Sequence, residues 1–218
     1  MRNIIYVLLL LTVSCKPIAH VLFGFNYIER FEPEKNIAYM HKMGIDQQLI
    51  YVNAERLNEY QKVNGYNRLE FDRSMQPMQI RLYNERGNLI GYTVNCVAAV
   101  DEEKNLNWFE LYDSDCALDS FGVEAKVGFL PHSTLEKEMQ YWEAEKPILI
   151  DTSKQHVVVY FSRVIEKQNK NLINEVRERF SSCEDVEIIY VSMEDVIAKW
   201  FSGRLAYIPP KQDSTTIK

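Results

Sequence analysis

The sequence has no C-x-x-C pair, no glycine-rich phosphate loop, no G-x-S-x-G and no H-E-x-x-H. It therefore lacks the local signatures of dithiol exchange, P-loop nucleotide binding, hydrolase nucleophiles and zinc peptidases. Glycine and proline are scarce, at 8 and 7 of 218 residues, which excludes collagen-like and linker-rich chains. No basic block occurs, and 25 Lys and Arg stand against 31 Asp and Glu, a formal charge of −6. A net acidic chain of this kind is not built to neutralise a nucleic-acid backbone. The four histidines, His20, His41, His132 and His156, keep no ligand spacing with the cysteines, so no metal and no other cofactor is expected. The longest apolar run, Ile4 to Val13, is ten residues, against the roughly 20 that a spanning helix needs. What remains is an ordinary folded composition: 46% hydrophobic, 26% charged and 12% aromatic.

The N-terminus carries an address. Arg2 precedes the apolar run, and small Ser14 follows it, as in a secretory signal peptide. With Cys15 placed directly after Ser14, the segment resembles a bacterial lipoprotein signal. That resemblance implies cleavage before Cys15 and acyl chains such as palmitate on its thiol and on the new N-terminus. At about 0.8 kcal/mol per buried methylene, three chains would hold the protein to a membrane without a spanning helix. Thr12 departs from the leucine usual in such signals. Lys16, in place of Asp, implies by the same resemblance the outer membrane of the cell envelope, on its periplasmic or surface face. The bland alternatives are an ordinary cleaved signal with a chance cysteine, or a buried N-terminal element.

The other cysteines are Cys96, Cys116 and Cys183. With Cys15 acylated, at most one disulfide can form among the three. Cys96 and Cys116 are the expected pair, because Cys183 belongs to a distant element. Closing that loop would stabilise the fold by roughly 3 kcal/mol. All three acting as small buried hydrophobes is an equal alternative. The acids Asp113, Asp115 and Asp119 around Cys116 lack the glycine of a calcium loop, since Leu118 takes its place, and read as a solvated turn.

Pattern organises the mature chain into residues 15–32, an anchor and membrane-proximal segment, 33–210, one α/β domain, and 211–218, a polar tail. Glu32-Pro33-Glu34 predicts a helix start and Gly44 its stop. Leu49 to Val52 predicts a strand, and Asn53 the cap of a helix ending near Gly65. Met78–Tyr83 and Leu89–Val94 around Gly87-Asn88 predict a β-hairpin whose first arm alternates apolar and polar residues. The stretch from Asn95 to Phe129 is the least legible, with one helix around Leu106 to Tyr112. Ser133 to Glu136 reads as a capping box for a helix running through Leu135, Met139 and Trp142. His156–Ser162 and Val186–Val191 predict buried parallel strands, joined by a helix to Ser181. A last helix is expected from a Ser192 cap to Gly203.

The segment Val157 to Lys170 resembles the first strand-to-helix passage of a thioredoxin-like domain, and Val186 to Asp195 resembles its next strand and acidic turn. The resemblance spans about residues 148 to 203 and implies a thioredoxin-like central sheet with flanking helices. Aligned on the strand, the family's two redox cysteines fall at Glu166 and Asn169. Neither a carboxylate nor an amide supplies the thiolate that disulfide exchange requires. The expected role is a non-catalytic binding or assembly module, lipid-anchored, with a possible protein partner. The alternative is an extracytoplasmic redox or hydrolytic enzyme using Cys96 and Cys116 or a site without a recognised motif.

Overall fold

The computed structural model describes residues 26, 28–66, 74–94 and 134–205. Among them are five helices and one six-stranded mixed sheet. In chain order the elements are α1 (Pro33–Lys42), β1 (Ile50–Val52), α2 (Ala54–Val63), β2 (Gln79–Tyr83), β3 (Leu89–Val94), α3 (Leu135–Met139), β4 (Trp142–Ala144), β5 (Gln155–Phe161), α4 (Glu166–Phe180), β6 (Val186–Ser192) and α5 (Glu194–Phe201). The strand order across the sheet is β3-β2-β5-β6-β1-β4.

Three parallel strands, β5, β6 and β1, form the middle, and antiparallel partners close both sides. The seven-residue pairing of β5 with β6 brings Val157 opposite Ile188 and Phe161 opposite Ser192. The hairpin β2–β3 lies against the other edge of β5, with Gln79 opposite Tyr160 and Tyr83 opposite His156. Its turn is set by Asn84, whose side chain accepts from the Arg86 and Asn88 amides, and by Gly87 at φ +71°. Those features make the expected hairpin and the expected parallel strand pair.

Helices cover both faces. Tyr39 of α1 stacks on Phe161 at 6.1 Å, and Asn36 meets Ser192 on the same face. Leu172, Ile173 and Val176 of α4 are buried at i, i+1 and i+4 spacing, the apolar stripe its sequence predicts. On the opposite face α3 reaches Tyr160 through Glu138, Tyr60 of α2 packs on Tyr141, and Asp195 of α5 accepts from the Ala54 amide at the start of α2. Pro33 opens α1 and Gly44, at φ +68°, follows its end as expected. A Cβ at Gly44 would also press on the Arg177 guanidinium at 3.3 Å.

Four local expectations change. The helix expected to run through Trp142 stops at Met139, and Trp142 opens β4 opposite Val52. Burial against Tyr160, rings edge-on at 6.3 Å, outweighs the helical spacing. Thr134 caps α3, its hydroxyl accepting from the Lys137 amide, while Ser133 lies outside the described residues. Ser192 ends β6, its hydroxyl accepting from the Glu194 amide, and α5 begins after Met193 without a side-chain cap. The alternation in β2 does not separate core from solvent, since all five residues are buried. Residues 95–133 and 206–218, including the helix expected at Leu106–Tyr112, lie outside the described residues, as do 1–25.

Candidate functional site

In sheets with parallel strands, loops that leave the carboxyl ends of neighbouring strands converge on one place. Here those ends are Phe161 on β5 and Ser192 on β6, paired side by side. The loop Ser162–Ile165 leads into α4, and Met193 leads into α5. Both sequence-predicted positions at the start of α4, Glu166 and Asn169, fall at this end.

Glu166 is the first residue of α4, partly exposed, and forms an ion pair with Lys42 at the end of α1. Both partners touch water, so the pair contributes little. Asn169 is buried completely. Its Nδ2 donates to the Ser162 carbonyl, pinning the loop that leaves β5. Tyr39 lies beside both, its hydroxyl donating to the Glu166 carbonyl at 3.5 Å. Burial pushes the Tyr39 phenol up, so it stays protonated at any physiological pH.

The strongest interactions at this corner involve residues that no motif marks. Arg163 clasps Glu194 with two parallel bonds, Nε to Oε1 at 2.6 Å and Nη2 to Oε2 at 2.8 Å. The Arg163 amide adds a third bond to Oε1 at 3.0 Å. Asn36 donates to Glu194 Oε2 at 2.6 Å, and its Oδ1 accepts from the Ser192 hydroxyl at 2.8 Å. Glu194 is fully buried, and these bonds occupy both its oxygens. Asn26 joins from outside, its amide donating to the Val164 carbonyl at 2.7 Å and its Nδ2 to the Arg163 carbonyl at 2.9 Å. Chemically this is a closed clasp. It joins two loops, α1 and the incoming chain, and it offers no thiolate and no uncommitted acid or base.

A second buried polar group lies on the other face. Arg81 of β2 pairs with Glu138 of α3, and both are almost wholly buried. Arg81 also donates to Gln79 Oε1 at 2.7 Å and to the Tyr141 hydroxyl at 3.2 Å, and lies 4.6 Å above the Tyr160 ring. Tyr160 donates to Glu138 in turn. Burial, the largest single influence, would lower the Arg81 pKa, but the Glu138 carboxylate and the neighbouring Tyr160, Tyr141 and Tyr83 together outweigh it, and the guanidinium remains charged. An arginine between glutamine and tyrosine in a short alternating strand carries no signal that separates burial from exposure.

A groove of about 640 Å³ runs between α1 and the β1–β4 edge, lined by Ile37, His41, Leu49, Tyr51, Glu143 and Lys146 among others. Burial and the Glu143 carboxylate push the Tyr51 phenol up to about 12, so it enters this groove as a neutral hydrogen-bonding group. None of the sequence-predicted residues lines it. Cys15, Cys96 and Cys116 lie outside the described residues, and so does the acidic segment around Cys116. Cys183, which the sequence set apart, is itself disulfide-bonded, and its partner cysteine lies outside the described residues. Among the described residues, no three His, Cys, Asp or Glu side chains gather as a metal site, and no helix is long and apolar enough to cross a membrane. No protein-family model, curated protein or solved structure matches this chain.

Proposed function

We propose that this chain is an exported protein, anchored in the cell envelope by acyl chains on Cys15. Its α/β domain follows a thioredoxin-like plan without the dithiol and works by binding or assembling with a protein partner. The observation that carries this reading is the opening of α4. Where that family opens the helix with C-x-x-C, this chain has Glu166 held by Lys42 and a buried Asn169 that pins the Ser162 carbonyl. Neither side chain can attack a disulfide.

The sheet supports the scaffold half of the reading. Parallel strands β1, β6 and β5 continue into an antiparallel hairpin, as the terminal hairpin does in that family, although here the hairpin precedes β5 in the chain. A disulfide at Cys183 supports the export half, because such bonds persist in oxidising compartments outside the cytosol. The apolar signal, Ser14 and Cys15 support the anchor, and Lys16 favours the outer membrane.

Two measurements test it. Palmitate label should enter the wild-type chain expressed in bacteria and be lost with Cys15→Ala. The purified chain should reduce insulin no faster than dithiothreitol alone. Absence of label would remove the anchor, and insulin turnover above background would favour the redox alternative on the remaining cysteines.

A further inference from the structure

Asn26, the first described residue, is fixed where the parallel strands finish. Its two hydrogen bonds go to the backbone of Arg163 and Val164, in the loop that leaves β5. From there the chain passes buried Ile28 and then Phe31, whose ring lies 4.4 Å from that of Tyr51. It then enters α1, whose Asn36 bonds Ser192 and Glu194 at the end of β6. The incoming chain is thus attached repeatedly near one end of the sheet. The opposite end carries the hairpin turn after Tyr83 and the turn at Asp151–Lys154 before β5.

We infer that the domain rests on the lipid surface by the carboxyl ends of its parallel strands, with the hairpin turn pointing away. This inference rests on acylation of Cys15. Residues 16–25 separate that anchor from Asn26; they include six apolar side chains, Ile18, Ala19, Val21, Leu22, Phe23 and Phe25, and no acid. Such a segment favours the interface of a bilayer over water, which draws Asn26 toward the headgroups. β5 is seven residues long, so at about 3.3 Å per residue its two ends differ in height by roughly 20 Å when the strand stands off the surface. Lys167, exposed in the first turn of α4, then sits near the headgroups, and exposed Thr152 sits far from them.

The test uses the full acylated chain in phosphatidylethanolamine–phosphatidylglycerol vesicles containing a nitroxide-headgroup lipid. A fluorophore is attached through an azide-bearing amino acid at position 167 or at position 152, which spares the cysteines. Quenching at 167 should exceed that at 152 several-fold, and Asn26→Gly, which removes one of the two bonds from the arm, should narrow the contrast. Equal quenching, or stronger quenching at 152, in a chain that floats with the vesicles and carries acyl mass on Cys15 overturns the orientation alone. A chain that neither floats nor carries that mass overturns the anchor, and the orientation with it.

Discussion

Asn36 stands between Ser192 and Glu194, accepting from one at 2.8 Å and donating to the other at 2.6 Å. It thereby fastens a helix near the start of the chain to a strand end more than 150 residues later. Asn36→Ala leaves the buried Glu194 carboxylate short of a donor and the Ser192 hydroxyl short of an acceptor. The expected loss is about 1–3 kcal/mol of folding free energy, read from urea denaturation. Arg163→Ala should cost more, about 3–5 kcal/mol, because it strands a buried charge. An unchanged midpoint in both variants would remove the clasp from any structural role.

The Arg81–Glu138 pair makes a sharper prediction. Arg81→Met alone leaves Glu138 buried and uncompensated, at a cost of about 3–5 kcal/mol. Adding Glu138→Gln removes the charge and keeps an acceptor for Tyr160. The double variant should therefore be more stable than Arg81→Met alone. Simple additivity of the two losses in a double-mutant cycle would contradict the coupling seen between these side chains.

His156 gives the fold a dependence on pH. Burial lowers its pKa below the usual 6.5, against the opposing pull of Glu187, whose carboxylate lies 3.3 Å away. The unfolded chain, titrating near 6.5, therefore binds more protons than the folded one in the region just below that value. Stability then rises with pH there, so it is full above 6.5 and is lost as pH falls through that value toward the depressed folded pKa. Melting temperature measured between about pH 5 and 7 should slope upward in the wild type and flatten in His156→Gln. An equal slope in both chains would assign the effect to other groups.

For Cys183 the prediction is a linked peptide. Non-reducing proteolysis and mass spectrometry should recover Cys183 joined to a second cysteine. If Cys15 carries a thioether, that partner must be Cys96 or Cys116, and the two cannot then pair with each other. Reduction should lower stability by about 2–4 kcal/mol. A free Cys183 thiol in oxidised protein would refute the bond.

Parts of this architecture were legible because their signals are local. The run His156 to Phe161 is β-branched and aromatic, and the stripe Leu172, Ile173, Val176, Phe180 is helical; both form as read. Asn53 caps α2, its side chain accepting from the Arg56 amide, as its position before the helix predicted. Trp142 reads as helical because its spacing from Leu135 fits a helix, while the pairing with Val52 that makes it a strand comes from 90 residues away. The clasp escaped for the same reason. Arg163 and Glu194 look like loop and helix-start charges, and only the side-by-side ends of β5 and β6 make them partners. At the α4 opening the sequence locates Glu166 and Asn169, but nothing in it distinguishes the partly exposed carboxylate from the buried amide.

The position of β6 has a consequence for how the chain is made. It is the last described strand in the sequence, yet it lies between β5 and β1 in the sheet. Until it emerges, the β1–β4 pair and the β3-β2-β5 group share no edge, and no shorter nascent fragment can complete the sheet. Contacts of such long sequence separation form slowly. In a polypeptide wired this way, the two halves of the described sheet remain separate until its final described strand docks between them.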